Sequence, residues 1–208
     1  MVTPGSGAVE RSEPAYNFDF CGGHVAIDFT NTVGNRGDSP EEHLKTYGDL
    51  LAWARARGVM SRGEAAKLAR RAAGDPDAAA RALGRAIDLR EALYTLMSSI
   101  VDRSKPEKPQ LTRLNDYVAE TFGAAHLAVE DGRLILKTPA DDRLDAMLVP
   151  VVRSAVELLT SDATSRIGRC ADEGCAWLFL DTTRSGTRRW CDMKSCGNRN
   201  KVRRFRAT

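Results

Sequence analysis

The sequence predicts an α+β fold, with a mostly helical N-terminal domain, a short β component and a small C-terminal module built on cysteines. Helix-start signals recur at Ser39, Ser61 and Asp75. Asp131-Gly132 separates two runs of alternating hydrophobic residues, which is the pattern of a β-hairpin. Four of the five cysteines fall within 27 consecutive residues near the C-terminus.

The first element is expected to be one or two strands across Phe18–Val33, because this stretch is rich in β-branched and aromatic residues. Ser39-Pro40-Glu41-Glu42 then predicts a helix start, with a serine cap, a proline at the first helical position and a glutamate at the third. This helix is expected to stop at Gly58, since glycine commonly ends helices.

Two further helices follow in the first half of the chain. Ser61 and Glu64 form a capping box, the reciprocal hydrogen-bonding pattern of a helix start, for a helix that runs to Gly74. Asp75-Pro76 begins the next helix, because a capping side chain is followed by proline at the first position.

In the second half of the N-terminal domain, the sequence predicts a helix, a hairpin and another helix. The helix lies near Leu111–Phe122, and the hairpin spans His126–Lys137. From Asp141 to Leu159 apolar residues recur at helical spacing. Pro150 lies inside this stretch and is expected to kink or divide the helix.

The chain divides by composition into a leader and two domains. Residues 1–16, with their Gly, Ser and Pro, are predicted to be a disordered leader and not a signal peptide. We call residues 17–165 the helical body, and residues 166–208 form a C-terminal module. Apolar runs such as Met147–Val152 are too short to span a bilayer, so no membrane partner is expected. The expected location is the cytoplasm, at the nucleoid if the chain binds DNA.

The net charge of +3 is unevenly distributed along the chain. From Arg169 onward, ten basic and four acidic residues give a net charge of +6, whereas the preceding 168 residues carry −3. A polyanionic partner is therefore expected to meet the C-terminal end.

The clustered cysteines have metal-ligand spacing, C-x4-C-x15-C-x4-C. They are Cys170, Cys175, Cys191 and Cys196. Zinc takes four thiolates at the corners of a tetrahedron, about 2.3 Å from the metal, and two nearby cysteines supply one edge. Two disulfides or four unrelated thiols are the alternatives. Two equal pairs around a hairpin, without an export signal, favour one Zn²⁺ per chain. Four protein ligands leave no vacant position, so the metal should be structural. We therefore call residues 166–208 the zinc module.

The segments around the cysteines predict a treble-clef arrangement of turn, hairpin, turn and helix. Ala176–Asp181 is the first predicted strand, and Arg188–Trp190 is its partner across Ser185-Gly186. After Cys196 the chain is expected to continue as a helix through Asn198–Arg206.

Nine basic residues lie between Arg184 and the C-terminus, opposed only by Asp192. Four thiolates on Zn²⁺ leave a charge of −2, which explains two or three of these cations and not nine. The surplus cations, with Trp190 and Phe205 lying between them in the sequence, are typical of a nucleic-acid surface. A solvated basic tail is the alternative. The predicted contacts are Arg184, Arg188, Arg189, Lys194, Asn198, Arg199, Lys201, Arg203, Arg204 and Arg206.

Two residues of this set are candidates to read bases. Asn198, at the start of the predicted helix, has the amide that pairs with adenine, and Arg199 has the fork that pairs with guanine. An alternative assigns Arg199 to the zinc thiolates or to the helical body, where it would stabilise the module without touching DNA.

The run Cys196-Gly197-Asn198-Arg199 resembles the signature of the CGNR zinc-finger family, bacterial proteins described as stress-induced transcriptional regulators. Asn200-Lys201-Val202-Arg203 continues this similarity. The N-terminal part of these proteins is the ABATE domain, whose opening motif is similar to His24–Val33 here. The resemblance extends from Phe18 over nearly the whole chain. It implies an ABATE-like body, a CGNR zinc finger and the four cysteines as metal ligands, and it brings no catalytic residue.

A polar string, with Asp28, Asn31 and Thr32 at its centre, follows the first predicted strand. One interpretation is a strand end that enters an Asx-type turn. The other is a polar floor for a small-molecule effector, with these three residues as the binding site.

Three functions remain open from the sequence. The first is a transcriptional regulator whose zinc module binds double-stranded DNA while the body senses an effector or forms a homodimer. The second is an RNA-binding or ribosome-associated zinc protein. The third is an enzyme, but the chain has no P-loop, GxGxxG, GxSxG or HExxH pattern. Cys21 is interpreted as a small buried hydrophobe. No catalytic activity is therefore expected.

Overall fold

The computed structural model describes residues 17–123, 125–138 and 143–206. Within these ranges helices dominate, and the strands form three two-stranded antiparallel sheets. The predicted α+β class is therefore confirmed. The predicted leader, residues 1–16, lies outside the described residues. No helix in the described part of the chain is both long and apolar enough to cross a membrane.

The first element is a helix where strands were predicted. Val25–Thr30 forms α1, and all of its residues except Val25 are buried. The strand prediction for Phe18–Val33 is wrong because a segment buried on every side has no periodicity that distinguishes helix from strand. Only Val33–Gly34 is extended, as β1, and it pairs with β2 at Glu41–Glu42.

The helix start predicted at Ser39 is also wrong, since the glutamates that follow it form β2. Helix α2 spans Tyr47–Ala56, and Thr46 caps it through a capping box with Asp49. That later box satisfies two backbone N–H groups, which makes it the stronger start signal. The predicted end is confirmed, because Gly58 has φ of +76° just after the helix.

The next three helices agree with the sequence. Helix α3 spans Arg62–Gly74 behind the predicted capping box, and α4 spans Pro76–Val101 behind the Asp75 cap. Helix α5 spans Lys108–Phe122. Helix α4 is central to the body, because it packs against α1, α2, α3 and α5. It also packs against residues Ile167–Arg169 of the zinc module.

The predicted hairpin is confirmed. Strand β3 at His126–Glu130 pairs with β4 at Arg133–Lys137, and Asp131 and Gly132 both have positive φ, as a two-residue type I′ turn requires. Three aliphatic side chains on one face of this hairpin are 68–72% exposed: Leu127, Val129 and Leu134.

Helix α6 begins later than predicted, at Leu148, and ends at Leu159. Asp141, the predicted start, lies outside the described residues. Pro150 is the third residue of α6, where a backbone N–H has no partner within the helix, so proline does not kink or divide it.

The zinc module contains β5 at Ile167–Arg169, β6 at Leu178–Leu180 and α7 at Asn198–Arg206. Helix α7 confirms the predicted C-terminal helix. Strand β6 pairs with β5 and not with Arg188–Trp190, so that prediction is wrong. Pairing with β5 buries Ile167 in the same core as Leu178, whereas Arg188–Trp190 brings two charged side chains.

The helical body and the zinc module share one hydrophobic core. Ile167 and Leu178 of the module are buried in the same cluster as Phe29 of α1 and Leu93 of α4. A second, smaller cluster contains the four metal-ligand cysteines with Trp177 and Phe179. The module therefore packs onto the body through its strands and keeps α7 outside.

Candidate metal centre and nucleic-acid interface

The four clustered cysteines converge in the structure, with their sulfur atoms within 4.8 Å of one another and their side chains buried. The Sγ atom of Cys191 lies 3.6 Å from the Sγ atoms of Cys175 and Cys196. Four thiolates about 2.3 Å from Zn²⁺ place their sulfur atoms about 3.8 Å apart. The spacing therefore fits a tetrahedral zinc ion, and every cysteine of the described residues is a free thiol.

Backbone hydrogen bonds shape both cysteine turns. In the first turn the N–H groups of Cys175 and Ala176 both donate to the carbonyl oxygen of Asp172. In the second, the Asp192 carboxylate accepts from Ser195 N–H at 2.8 Å. Such turns place two sulfur atoms side by side without any help from the metal.

Four ionised thiolates at this spacing would need a cation between them. Hydrogen bonding from Cys175 lowers the pKa of the Cys170 thiol, while hydrogen bonding to Cys170 raises the pKa of Cys175 and of Cys191. Buried thiols at this spacing cannot all ionise together unless a positive ion lies between them. Zn²⁺ provides that charge and allows four thiolates.

Asp172 joins the first cysteine turn to helix α7. Its carboxylate is only 1% exposed and accepts from Arg199 Nε at 2.7 Å and from Arg203 Nη1 at 3.2 Å. Arg199 Nη2 also donates to Cys196 Sγ at 3.0 Å, and this bond to the sulfur raises the pKa of Arg199. Arg199 thus occupies the position that the alternative interpretation assigned to it. The sequence analysis missed Asp172, although an acid inside the first cysteine turn of a basic module was a visible signal.

Arg188 is also held inside the module. Its guanidinium donates to four carbonyl oxygens and lies over the Phe179 ring, 4.5 Å from the centroid. The acceptors belong to Cys21, Leu180, Trp190 and Cys191. Cys21, predicted as a buried hydrophobe, is partly buried against the cysteine cluster.

Arg199 and Arg203 stay exposed despite these contacts, with side-chain exposures of 47% and 60%, and the seven other predicted nucleic-acid residues are exposed as well. They are Arg184, Arg189, Lys194, Asn198, Lys201, Arg204 and Arg206. Lys201 follows Arg199 by two positions, which places it on the opposite side of α7. Phe205, 83% exposed, follows Lys201 by one helical turn and lies on the same side.

The three residues of the predicted effector site bind other groups of the chain. Asp28 accepts from Gly22 N–H and from Arg57 Nε, and its burial raises its pKa to about 6. Asn31 pairs with the backbone of Leu178, and Thr32 donates to a carbonyl oxygen of α1. The effector site stays a prediction.

Comparison with known families agrees with this geometry. The ABATE family model, described as "Putative stress-induced transcription regulator", matches residues 23–162, and the CGNR zinc finger model matches residues 166–208. The search of curated proteins finds no match. Because the first match alone spans more than half of the chain, the protein belongs to the ABATE family, and its CGNR zinc finger has the four cysteines of one structural Zn²⁺ site.

Proposed function

We propose that this protein is a transcriptional regulator whose zinc module binds double-stranded DNA through the exposed cations around α7. The observation that supports this most directly is the surplus of positive charge outside the metal centre. A Zn²⁺ ion with four thiolates carries −2, and Asp172 adds −1. Arg199 and Arg203 return +2 through direct contacts. These charges sum to −1, so neutralising the metal centre does not require the remaining exposed cations of the module.

The proposed DNA surface is the side of α7 that faces away from Asp172. Lys201 and Phe205 lie on it, and Lys194 and Asn198 lie at the start of the helix. Phosphates carry most of the affinity of such a surface, and lysine and arginine are their usual contacts. The guanine contact predicted for Arg199 would require this side chain to leave both Asp172 and Cys196. We therefore assign Arg199 to the support of the module.

RNA is the second candidate partner, and Phe205 is the observation that favours it. An aromatic side chain that is 83% exposed beside lysine and arginine offers a stacking surface for an unpaired base. Duplex DNA keeps its bases stacked, so this side chain would contribute less there. The two candidates thus differ in the expected effect of Phe205→Ala.

The deciding experiment is selection of fragments bound by the zinc-loaded full chain from random duplex and genomic DNA. The proposal predicts enrichment of a defined duplex site that outcompetes single-stranded RNA at equal salt. Uniform recovery of all duplex sequences, together with tighter binding of single-stranded RNA, would favour the second candidate. Phe205→Ala should then lower RNA affinity by about tenfold.

The regulator proposal includes a small-molecule effector of the body. Asp28, Asn31 and Thr32 lie where the body meets the zinc module, so a ligand that displaced Asn31 would act on Leu178 directly. Arg57, the ion-pair partner of Asp28, lines an open cavity of about 390 Å³ with His24 and Arg153 among its walls. A metabolite screen that follows the melting temperature tests the idea, because a ligand of the folded state raises it by mass action. A homodimer remains a further prediction, to be tested by sedimentation.

A further inference from the structure

A polar cavity of about 390 Å³ opens beside the β5–β6 sheet, on a part of the zinc module that the metal does not use. Its walls carry three arginines: Arg166, Arg184 and Arg188. The hydroxyl side chains of Ser165 and Ser185 lie in the same lining. None of the metal-ligand cysteines is part of this lining.

The charge inside this cavity is unbalanced. Asp181 is its one acidic lining residue, against three guanidinium groups. The Asp181 carboxylate is engaged locally, because it accepts from Thr183 N–H at 2.8 Å and from Arg188 N–H at 2.9 Å. The cavity therefore keeps a net charge of about +2 in a partly enclosed space, where such a charge attracts anions.

Two of the three arginines are fixed in place by neutral groups. Arg166 donates through Nε to Asp181 O at 2.6 Å and through Nη2 to Thr183 O. Arg188 likewise donates to carbonyl oxygens, one of them Leu180 O at 3.2 Å. Carbonyl oxygens orient a guanidinium group without cancelling its charge. The arginines are thus arranged before any ligand arrives, which lowers the entropy lost on binding.

The third arginine and the adjacent turn complete an anion site. Arg184 is exposed at the rim, one residue before Ser185. Gly186 has φ of +63° and brings the turn back along the cavity wall. The guanidinium fork matches the geometry of phosphate oxygens and can bind them through two parallel hydrogen bonds. A volume of 390 Å³ exceeds the size of one phosphate and leaves room for an attached sugar and base.

We propose that this cavity binds the phosphate of a nucleotide, with Arg166 and Arg184 as its hydrogen-bonding contacts and Arg188, whose N–H groups mostly bind carbonyl oxygens, contributing positive charge. The phosphate can come from a nucleic-acid strand on the module or from a free mononucleotide. The inference is independent of the α7 surface, because none of the three arginines belongs to that helix. The two proposals can therefore fail separately.

The test is a titration of the zinc-loaded full chain with inorganic phosphate and then with a nucleoside monophosphate, at ionic strength held constant with chloride. Backbone amide NMR shifts of Ser185 and Gly186 report binding at the cavity. The proposal predicts saturable shifts for both probes. Arg184→Gln should weaken both by at least about tenfold, since a hydrogen bond to a charged group is lost. Arg70→Gln, an exposed arginine of α3, is the matched control and should leave both unchanged.

Equal melting temperature and zinc content of the two variants show that any loss of binding is local. Shifts that do not saturate, or that persist unchanged in Arg184→Gln, would overturn the proposal.

A mononucleotide that competes with duplex DNA supports a strand phosphate as the ligand. One that binds without affecting duplex affinity supports a free nucleotide. Lys201→Gln should weaken duplex binding and leave the phosphate titration intact, which separates this site from the α7 surface.

Discussion

The side chain of Asn31 pairs with the backbone of Leu178 in both directions. Asn31 Nδ2 donates to Leu178 O at 2.9 Å, and Asn31 Oδ1 accepts from Leu178 N–H at 3.0 Å. The amide thereby takes the place of a neighbouring strand beside β6. Close by, Trp177 Nε1 donates to Val33 O at 2.6 Å. These buried bonds join the helical body to the zinc module, so the two should unfold together.

Asn31→Ala should lower the free energy of unfolding by about 2–4 kcal/mol. The substitution leaves a buried N–H and a buried carbonyl of Leu178 without partners, which carries a larger penalty than the loss of an exposed bond. Urea denaturation of the zinc-loaded protein measures the change. Asn115→Ala, at an exposed position of α5, is the control and should change stability by less than about 0.5 kcal/mol. Equal, small effects of both substitutions would show that the Asn31 pairing is not a structural link.

Cys196→Ala should abolish zinc binding and destabilise the whole chain. Metal binding and folding are coupled, and the strands of the module belong to the same core as α1 and α4. Native mass spectrometry should give one zinc per wild-type chain and none in the variant. Calorimetry should give a single transition at a lower temperature. A metal-free wild-type protein with two disulfides, or a body that melts unchanged in the variant, contradicts this prediction.

Arg199→Ala should weaken zinc binding by about 10–100-fold, because Arg199 supports a ligand sulfur and the buried Asp172. Lys201→Ala, on the opposite side of the same helix, should leave zinc affinity unchanged. Competition with a chromophoric chelator measures both. If Arg199→Ala keeps full zinc affinity and changes only the preference at one base pair, Arg199 reads DNA after all.

Asp28 should make the protein less stable as pH rises from 5 to 7. Its pKa is about 6 in the folded state, mainly because burial disfavours the carboxylate, and about 3.9 when unfolded. The folded state therefore holds more protons in this window, and unfolding becomes easier as pH rises. Asp28→Asn removes this contribution. The free energy of unfolding of the wild type, minus that of the variant, should therefore fall by about 1 kcal/mol from pH 5 to pH 7.

Groups with the opposite dependence are common to both proteins in that comparison. Burial lowers the pKa of His24 and His43, so the folded state holds fewer protons on these groups and their contributions to stability strengthen as pH rises through this window. Because these groups are present in both proteins, their contributions cancel when the free energy of unfolding of the variant is subtracted from that of the wild type. A difference that is constant between pH 5 and 7 would show that Asp28 stays ionised throughout.

Local signals predicted this structure best. The capping box at Ser61, the Asp75 cap, the Asp131-Gly132 turn and the cysteine spacing each depend on groups a few residues apart, and each is confirmed. Helix α1 was missed because its conformation depends on burial against α4 and α6, which no local pattern encodes.

In the candidate site, too, local signals were predictive and contacts between distant residues were not. Composition indicated a basic module, and the spacing of the cysteines indicated the metal. Which cations bind groups of the module itself depends on Asp172 and on carbonyl groups that come together only in the folded chain. Arg188, Arg199 and Arg203 are for that reason indistinguishable in sequence from the neighbouring cations.

If the exposed cations of the zinc module bind nucleic acid, the affinity for duplex DNA must depend on the salt concentration. The zinc-loaded chain should bind with log K falling linearly in log[salt], by roughly 0.9 for each phosphate neutralised. Lys201→Ala should weaken binding to all duplex sequences alike and reduce that slope by about one. Affinity that is independent of salt, or a slope that Lys201→Ala leaves unchanged, would contradict the account.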